Sequence, residues 1–195
     1  MMIGTLPLTY LPPLEYRWAL DAAMPLFHSS GLPYVTCHVP ALKAVIDQQL
    51  PEFSSGMQYR NGLWVEPMRD SWYGDLQEFS TKLVAGSTLV LITSQPMACW
   101  LPERRNWAVR PLGVQLLGLI RLKYALQKKG FLHLETFGLH GLVSIGLNYL
   151  AHWAEVQGRP DVADRLRFSG RLRYLQQGPL AVMSTVALGF YQKNS

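Results

Sequence analysis

A run of seven residues, Ser87-Thr88-Leu89-Val90-Leu91-Ile92-Thr93, constrains this chain more than any other. It is apolar without alternation and rich in β-branched side chains, which suits a strand covered on both faces in the middle of a parallel sheet. Upstream, Leu76, Phe79, Leu83 and Val84 recur at three- and four-residue spacing and form one apolar helical stripe. Lys82 in the last turn, with Gly86 beyond it, reads as the helix ending. The stretch from Asp70 to Pro96 is thus a helix, a glycine stop and a buried strand. The strand closes at Ser94-Gln95-Pro96, where a doubly wound sheet opens a crevice.

The same alternation runs through the rest of the chain. Thr5 to Tyr10 reads as a first strand, and Pro12-Pro13 opens a helix over 14–27. Leu32 to Val39 is a second strand, and Pro40 starts a helix that Pro51 closes. Within Met57–Met68, Asn61-Gly62 signals either a hairpin or a loop leading into a strand at Leu63-Trp64-Val65. A long helix is expected from Pro111 to Lys129, then a strand over Phe131–Phe137. A helical insert over about 142–178, broken at Gly158-Arg159-Pro160 and at Gly170, precedes a last strand over Val182–Gln192. Strand and helix in turn predict an α/β three-layer sandwich. Its sheet is mostly parallel and Rossmann-like, of six or seven strands, with helices on both faces. With 195 residues, 49% of them hydrophobic, the expectation is a single domain over 1–195 with one substantial core.

Composition narrows the function classes only a little. Cys37 and Cys99 are the only cysteines, too few for a disulfide framework, so a reducing compartment is expected. The N-terminus lacks a basic leader region. The longest apolar stretch, Phe137 to Trp153, carries His140, Asn148 and His152 and is too short and polar for a membrane span. A cytoplasmic protein is the reading. Cys37-His38 ends a strand, where α/β folds put chemistry, but adjacent strand residues face opposite ways, so Cys37 reads as structural. His133, His140 and His152 lack metal-ligand spacing, and no metal is expected. The net charge of +5 matters most where arginines gather late in the chain. There Arg165, Arg167, Arg171 and Arg173 interleave with Phe168 and Tyr174. Guanidinium groups grip phosphates while aromatic rings stack on bases or fill a partner's pocket. The plainer alternative is a solvated face whose arginines pair with Asp161 and Asp164. A protein partner or a second copy is expected, with an anionic ligand or nucleic acid as a further candidate at this segment.

The segment DLQEFSTKLVAGSTLVLITS, from Asp75 through Ile92 to Ser94, resembles the fourth helix and fifth strand of class I S-adenosylmethionine-dependent methyltransferases. In that family an aspartate-leucine helix start leads into L-x-x-G-G-x-L-x-L, and Ser87 stands at the second glycine. Lys129-Gly130-Phe131 is similar to the family's L-x-x-x-G-F passage into strand six, and VALGFYQK to its closing strand. The likeness spans roughly Leu32 to Lys193. The family's glycine-rich cofactor loop after strand one corresponds here to Tyr10-Leu11-Pro12-Pro13-Leu14-Glu15. Its acidic ribose ligand after strand two corresponds to Thr36-Cys37-His38-Val39. The resemblance therefore implies a degenerate, non-catalytic methyltransferase-like protein without a cofactor, acting as a binding or assembly component of a larger complex. The alternative is an active methyltransferase using S-adenosylmethionine on a small molecule. In that case Glu66 or Asp70 lies near the cofactor, and Trp72 and Tyr73 wall its pocket. No catalytic residue is assigned.

Overall fold

Leu89, Val90, Leu91 and Ile92 are each 0% exposed, so the central run is covered on both faces as its composition requires. The computed structural model describes residues 14–50, 58–68, 70–95, 119–139, 141–167, 169, 176–177, 181 and 183–194. The described elements are α1 (Leu14–Ser30), β1 (Tyr34–Cys37), α2 (Pro40–Gln49), β2 (Tyr59–Val65), α3 (Trp72–Lys82) and β3 (Leu83–Ser94). There follow α4 (Leu119–Lys128), β4 (Phe131–Leu139), α5 (Leu142–Val156), α6 (Pro160–Arg167), β5 (Gln176–Gln177) and β6 (Val186–Lys193).

The sheet has the order β1-β2-β3-β6-β4-β5. β1, β2 and β3 are parallel; β6 lies antiparallel between β3 and β4, and the short β5 is antiparallel to β4. Period-two alternation sorts the side chains of each strand. Leu63 and Val65 of β2, Val90 and Ile92 of β3, and Leu188 of β6 face one layer, closed by Tyr16 and Leu20 of α1 and Leu42 and Ile46 of α2. Trp64, Leu89, Leu91 and Tyr191 face the other, closed by Leu76 and Phe79 of α3 and Leu122 and Leu126 of α4. Each of these side chains contributes about 1.5–3 kcal/mol by leaving water. The result is the expected three-layer α/β sandwich.

The connections carry an irregularity of hand. β1 to β2, β2 to β3 and β3 to β4 all step the same way across the sheet between parallel strands. α3 and α4 lie on one face, but α2 lies on the other. The connection through α2 therefore has the opposite hand to the other two. Parallel crossovers are right-handed in about 98% of cases, and β1–α2–β2 and β2–α3–β3 cannot both follow that rule.

Three local expectations are corrected. Asn61-Gly62 makes neither hairpin nor loop but lies inside β2. The Asn61 side chain donates to the Gly31 carbonyl at 2.7 Å. A Cβ on Gly62 would stand 2.9 Å from Leu89 Cδ1 and 3.1 Å from both Leu83 and Phe79, so glycine serves close packing there rather than a turn. Gly86 does not end α3. The helix stops at Lys82, Leu83 is already extended, and Gly86 sits inside β3 at φ +79°, where the β2–β3 register shifts. The last strand begins at Val186 rather than Val182. The expected strand at Thr5–Tyr10, Pro12-Pro13 and the first eight residues of the 111–129 helix lie outside the described residues, and so does Cys99. Among the described residues no helix is long and apolar enough to cross a membrane.

Gly62→Ala is expected to lower unfolding free energy by about 1–3 kcal/mol, the range for overpacking a core. Urea denaturation of the two proteins measures it; equal midpoints would show that the neighbouring side chains give way freely.

Candidate functional site

Ligands of open α/β sheets settle outside the carboxyl ends of the strands, where neighbouring connections leave toward opposite faces. Here that divergence falls between β1 and β2, because the chain leaves β1 for α2 on one face and β2 for α3 on the other. The residues at those ends are Cys37, His38 and Val39 after β1, Glu66 after β2, and Ser94-Gln95 at the end of β3.

Glu66 is the most unusual of them. It is 1% exposed and takes φ +49°, the left-handed region that side chains other than glycine enter at a cost. Neighbours over-determine that conformation. Its N–H donates to the Ile92 carbonyl at 2.8 Å, continuing the β2–β3 ladder. Its Oε2 accepts the Ser94 N–H at 2.9 Å and the hydroxyl of buried Tyr16 from α1, which is also hydrogen-bonded to Ser94 Oγ. One carboxylate thus ties α1, β2 and β3 together at the crevice. Burying a polar group is costly unless hydrogen bonds replace water, and these supply Oε2 with donors.

A second buried carboxylate, Asp75 of α3, lies on the opposite face. Its oxygens face His38 Nε2 at 2.9 and 3.1 Å and accept from Trp64 Nε1 at 3.3 Å and Ser71 Oγ at 3.3 Å. His38 is partly open, its side chain 43% exposed, so the cluster reaches the surface through the imidazole. Cys37 and His38 do face opposite ways: His38 meets Asp75, and Cys37 packs beside the α1–α2 layer. Burial pushes the Cys37 thiol up to about 11, and its Sγ donates to the Val39 carbonyl at 3.6 Å. A thiol held protonated is no nucleophile.

The other candidates fall as follows. Asp70 is exposed in the turn before α3, and Ser71 and Trp72 bond back to the Met68 carbonyl at 3.3 and 2.9 Å. Trp72 and Tyr73 open α3 and meet edge to face at 5.7 Å. The Arg121 guanidinium lies 5.5 Å from the Trp72 ring and Lys129 Nζ 5.5 Å from that of Tyr73, so cations from α4 and its end cover both aromatics. Arg165 and Arg167 belong to α6, whereas Phe168, Arg171, Arg173 and Tyr174 lie outside the described residues. Arg167 does not pair with Asp161 or Asp164. It makes a two-pronged bond to Glu155 of α5, 2.6 Å from Nη2 to Oε2, which holds that carboxyl below its ordinary range. His133 meets Thr136 Oγ1 at 2.7 Å, and burial, then Lys123, pushes it below the usual histidine value. His152 lies near Glu155. Among the described residues no group of three or more His, Cys, Asp and Glu is placed to hold a metal ion. Tyr16, Trp64, Asp75 and Ser94 complete the two carboxylate clusters; Asp75 and Ser94 bound the segment from Asp75 to Ser94, but nothing in it marked them as site residues, and Tyr16 and Trp64 carry no motif at all.

No family model matches the chain, and a search of curated proteins finds no match. Solved structures do match. A SAM-dependent methyltransferase of Thermotoga maritima overlays 90% of this chain and 78% of its own, at 12% identity and TM-score 0.52. The cyclase SpnF covers 90% of this chain and 72% of its own, at 14% identity and TM-score 0.44. A SAM-dependent methyltransferase of Mesorhizobium loti covers 91% and 87%, at 12% identity and TM-score 0.43. The fold is that of the class I methyltransferases, as the segment from Asp75 to Ser94 implied. The expectation that the chain takes no cofactor is thereby corrected, since the Thermotoga structure sharing this fold is described as SAM-dependent.

Two measurements probe the site's chemistry. Tyr16→Phe leaves Glu66 short of a donor and is expected to cost about 1–3 kcal/mol in urea denaturation, the penalty for under-satisfying a buried acceptor. An unchanged stability would mean that another group takes over. Cys37 gives a pH signature. The unfolded thiol loses its proton near 9.0 and the folded one near about 11. Stability is therefore fully present below pH 9 and declines toward pH 11, by about 2–3 kcal/mol at about 1.4 kcal/mol per unit. Cys37→Ser should remove that part of the decline; parallel pH profiles would contradict it.

Proposed function

We propose that this protein is an S-adenosylmethionine-dependent methyltransferase acting on a small molecule, with its cofactor between the carboxyl ends of β1 and β2. One observation carries the reading: two buried carboxylates, Glu66 and Asp75, approach that end of the sheet from opposite faces, one of them in a left-handed backbone conformation. Backbone strain of that kind collects at functional sites.

The available residues suit the group. The cofactor is cationic at sulfur and offers ribose hydroxyls and amino groups, all of which call for acceptors, while its base calls for a flat wall. In this reading the exposed Asp70 serves as the acceptor, Glu66 holds the turn after β2 from within, and Trp72 and Tyr73, steadied by Arg121 and Lys129, flank the pocket. The turn Cys37-His38-Val39-Pro40 has no glycine, and Pro40, the first residue of α2, has no N–H to offer. The amino-acid end is then held by side chains rather than by a backbone cradle, a role open to His38. When bound, the cofactor supplies an electrophilic methyl group; the chain binds, orients and shields it. The glycine-free turn also favours a second reading, a non-catalytic component that keeps the scaffold and binds a partner.

Thermal-shift and calorimetric titration with S-adenosylmethionine and its demethylated product test the assignment. Ligand at a hundredfold excess over Kd should add about 2.7 kcal/mol of stability, and Asp70→Ala should weaken binding. No shift at millimolar ligand would overturn it. Binding without methyl transfer to a panel of small amines, thiols and alcohols would leave the second reading standing.

A further inference from the structure

Helix α5 is built inside out. Ordinary amphipathic helices turn their large apolar side chains to the core. α5 buries Ser144, Ile145, Asn148, Ala151 and Ala154, all but Ile145 small or polar, and packs its alanines against Ala163 of α6. Its large apolar residues look outward: Leu142, Val143, Tyr149, Leu150, Trp153 and Val156 are all exposed, Trp153 by 63% and Val156 by 69%. At about 3.6 residues per turn these six and Gly146 fall within one arc of roughly 140°. No charged residue interrupts it, and a Cβ on Gly146 would meet nothing within 4 Å.

We propose that this face of α5 is a homodimer interface, packed against α5 of a second copy around a two-fold axis. Three features select that occupant. The first is size: at ordinary side-chain areas the face offers roughly 600–700 Å² of apolar surface, more than most monomers leave open and near the ~800 Å² per partner of a standard interface. The second is neutrality. A two-fold interface sets a patch against itself, so any net charge on it repels its own image, and an uncharged face avoids that repulsion. The third is Gly146, a small residue in the middle of the arc that lets a facing helix come close. The exposed charges on the neighbouring helix α6, Asp161, Asp164 and Arg165, are of mixed sign. That lacks the cationic flank with which interfacial helices meet anionic lipid. Trp153 supplies a large aromatic anchor of the kind typical of interface centres. The inference stands independently of the ligand crevice.

Sedimentation velocity and light scattering of the full chain, from low to several hundred micromolar, test it. The expected result is a species of twice 22.0 kDa that dissociates on dilution. Trp153→Glu and, separately, Leu150→Lys should each raise the dimer dissociation constant at least about tenfold, as loss of an interface anchor does, with circular dichroism and melting temperature kept. A milder variant, Val156→Ser, covers the case in which either charged substitution fails to fold. A monomer at every concentration overturns the proposal. So does a dimer indifferent to all three substitutions. Co-sedimentation of a monomer with phosphatidylserine-containing vesicles, lost in Trp153→Glu, would assign the face to a membrane surface instead.

Discussion

A strand that is apolar on both sides has to be covered twice, and almost everything in this protein follows from meeting that demand at Leu89–Ile92. Two helices lie above the strand and two below, and neighbouring strands flank it on either side. The cover also sets where polar groups can survive. Glu66 is buried because β2 ends beside β3, and it survives because the end of β3 turns the Ser94 N–H toward it while α1 brings Tyr16. Asp75 is the counterpart below the sheet, held by an indole, a hydroxyl and an imidazole. The sheet keeps the two carboxylates in separate layers, so each draws on its own set of donors. Leaving either without them would cost several kcal/mol.

Much of the fold could be read from local pattern. The helices α1, α2 and α3 and the strands β1, β3 and β4 announce themselves through helical period, β-branched runs, and prolines or glycines at their ends. What misled were residues whose conformation is decided across the fold. Asn61-Gly62 carries a strong turn signal, yet the packing of Leu89, Leu83 and Phe79 makes it strand. Gly86 carries a strong helix-stop signal, yet it serves an irregularity inside β3. Neither override is visible within a few residues of the position concerned.

The site was less legible than the fold for the same reason. Glu66 could be picked out as a carboxylate following a strand. Its left-handed backbone and its Tyr16 partner, 50 residues away in sequence, could not. His38 and Asp75, 37 residues apart, meet only once β1 and α3 are in place. The arginine-rich segment stood out most clearly by composition, but Arg167 spends its charge on Glu155 within the molecule. In α5 the helical period was plain. A period alone does not say which side faces inward, and here the smaller side chains were chosen.

The placing of β6 bears on how the molecule is made. β3 and β4 both precede in the chain the strand that joins them, Val186–Lys193, which begins about ninety residues after β3 ends. Until that strand is in place, β3 and β4 each have a hydrogen-bonding edge without its native partner. Such edges invite pairing with other chains. Closure is a late, long-range event, of the kind that makes folding slow and chaperone-dependent. A strand made after both its neighbours is the keystone of the sheet.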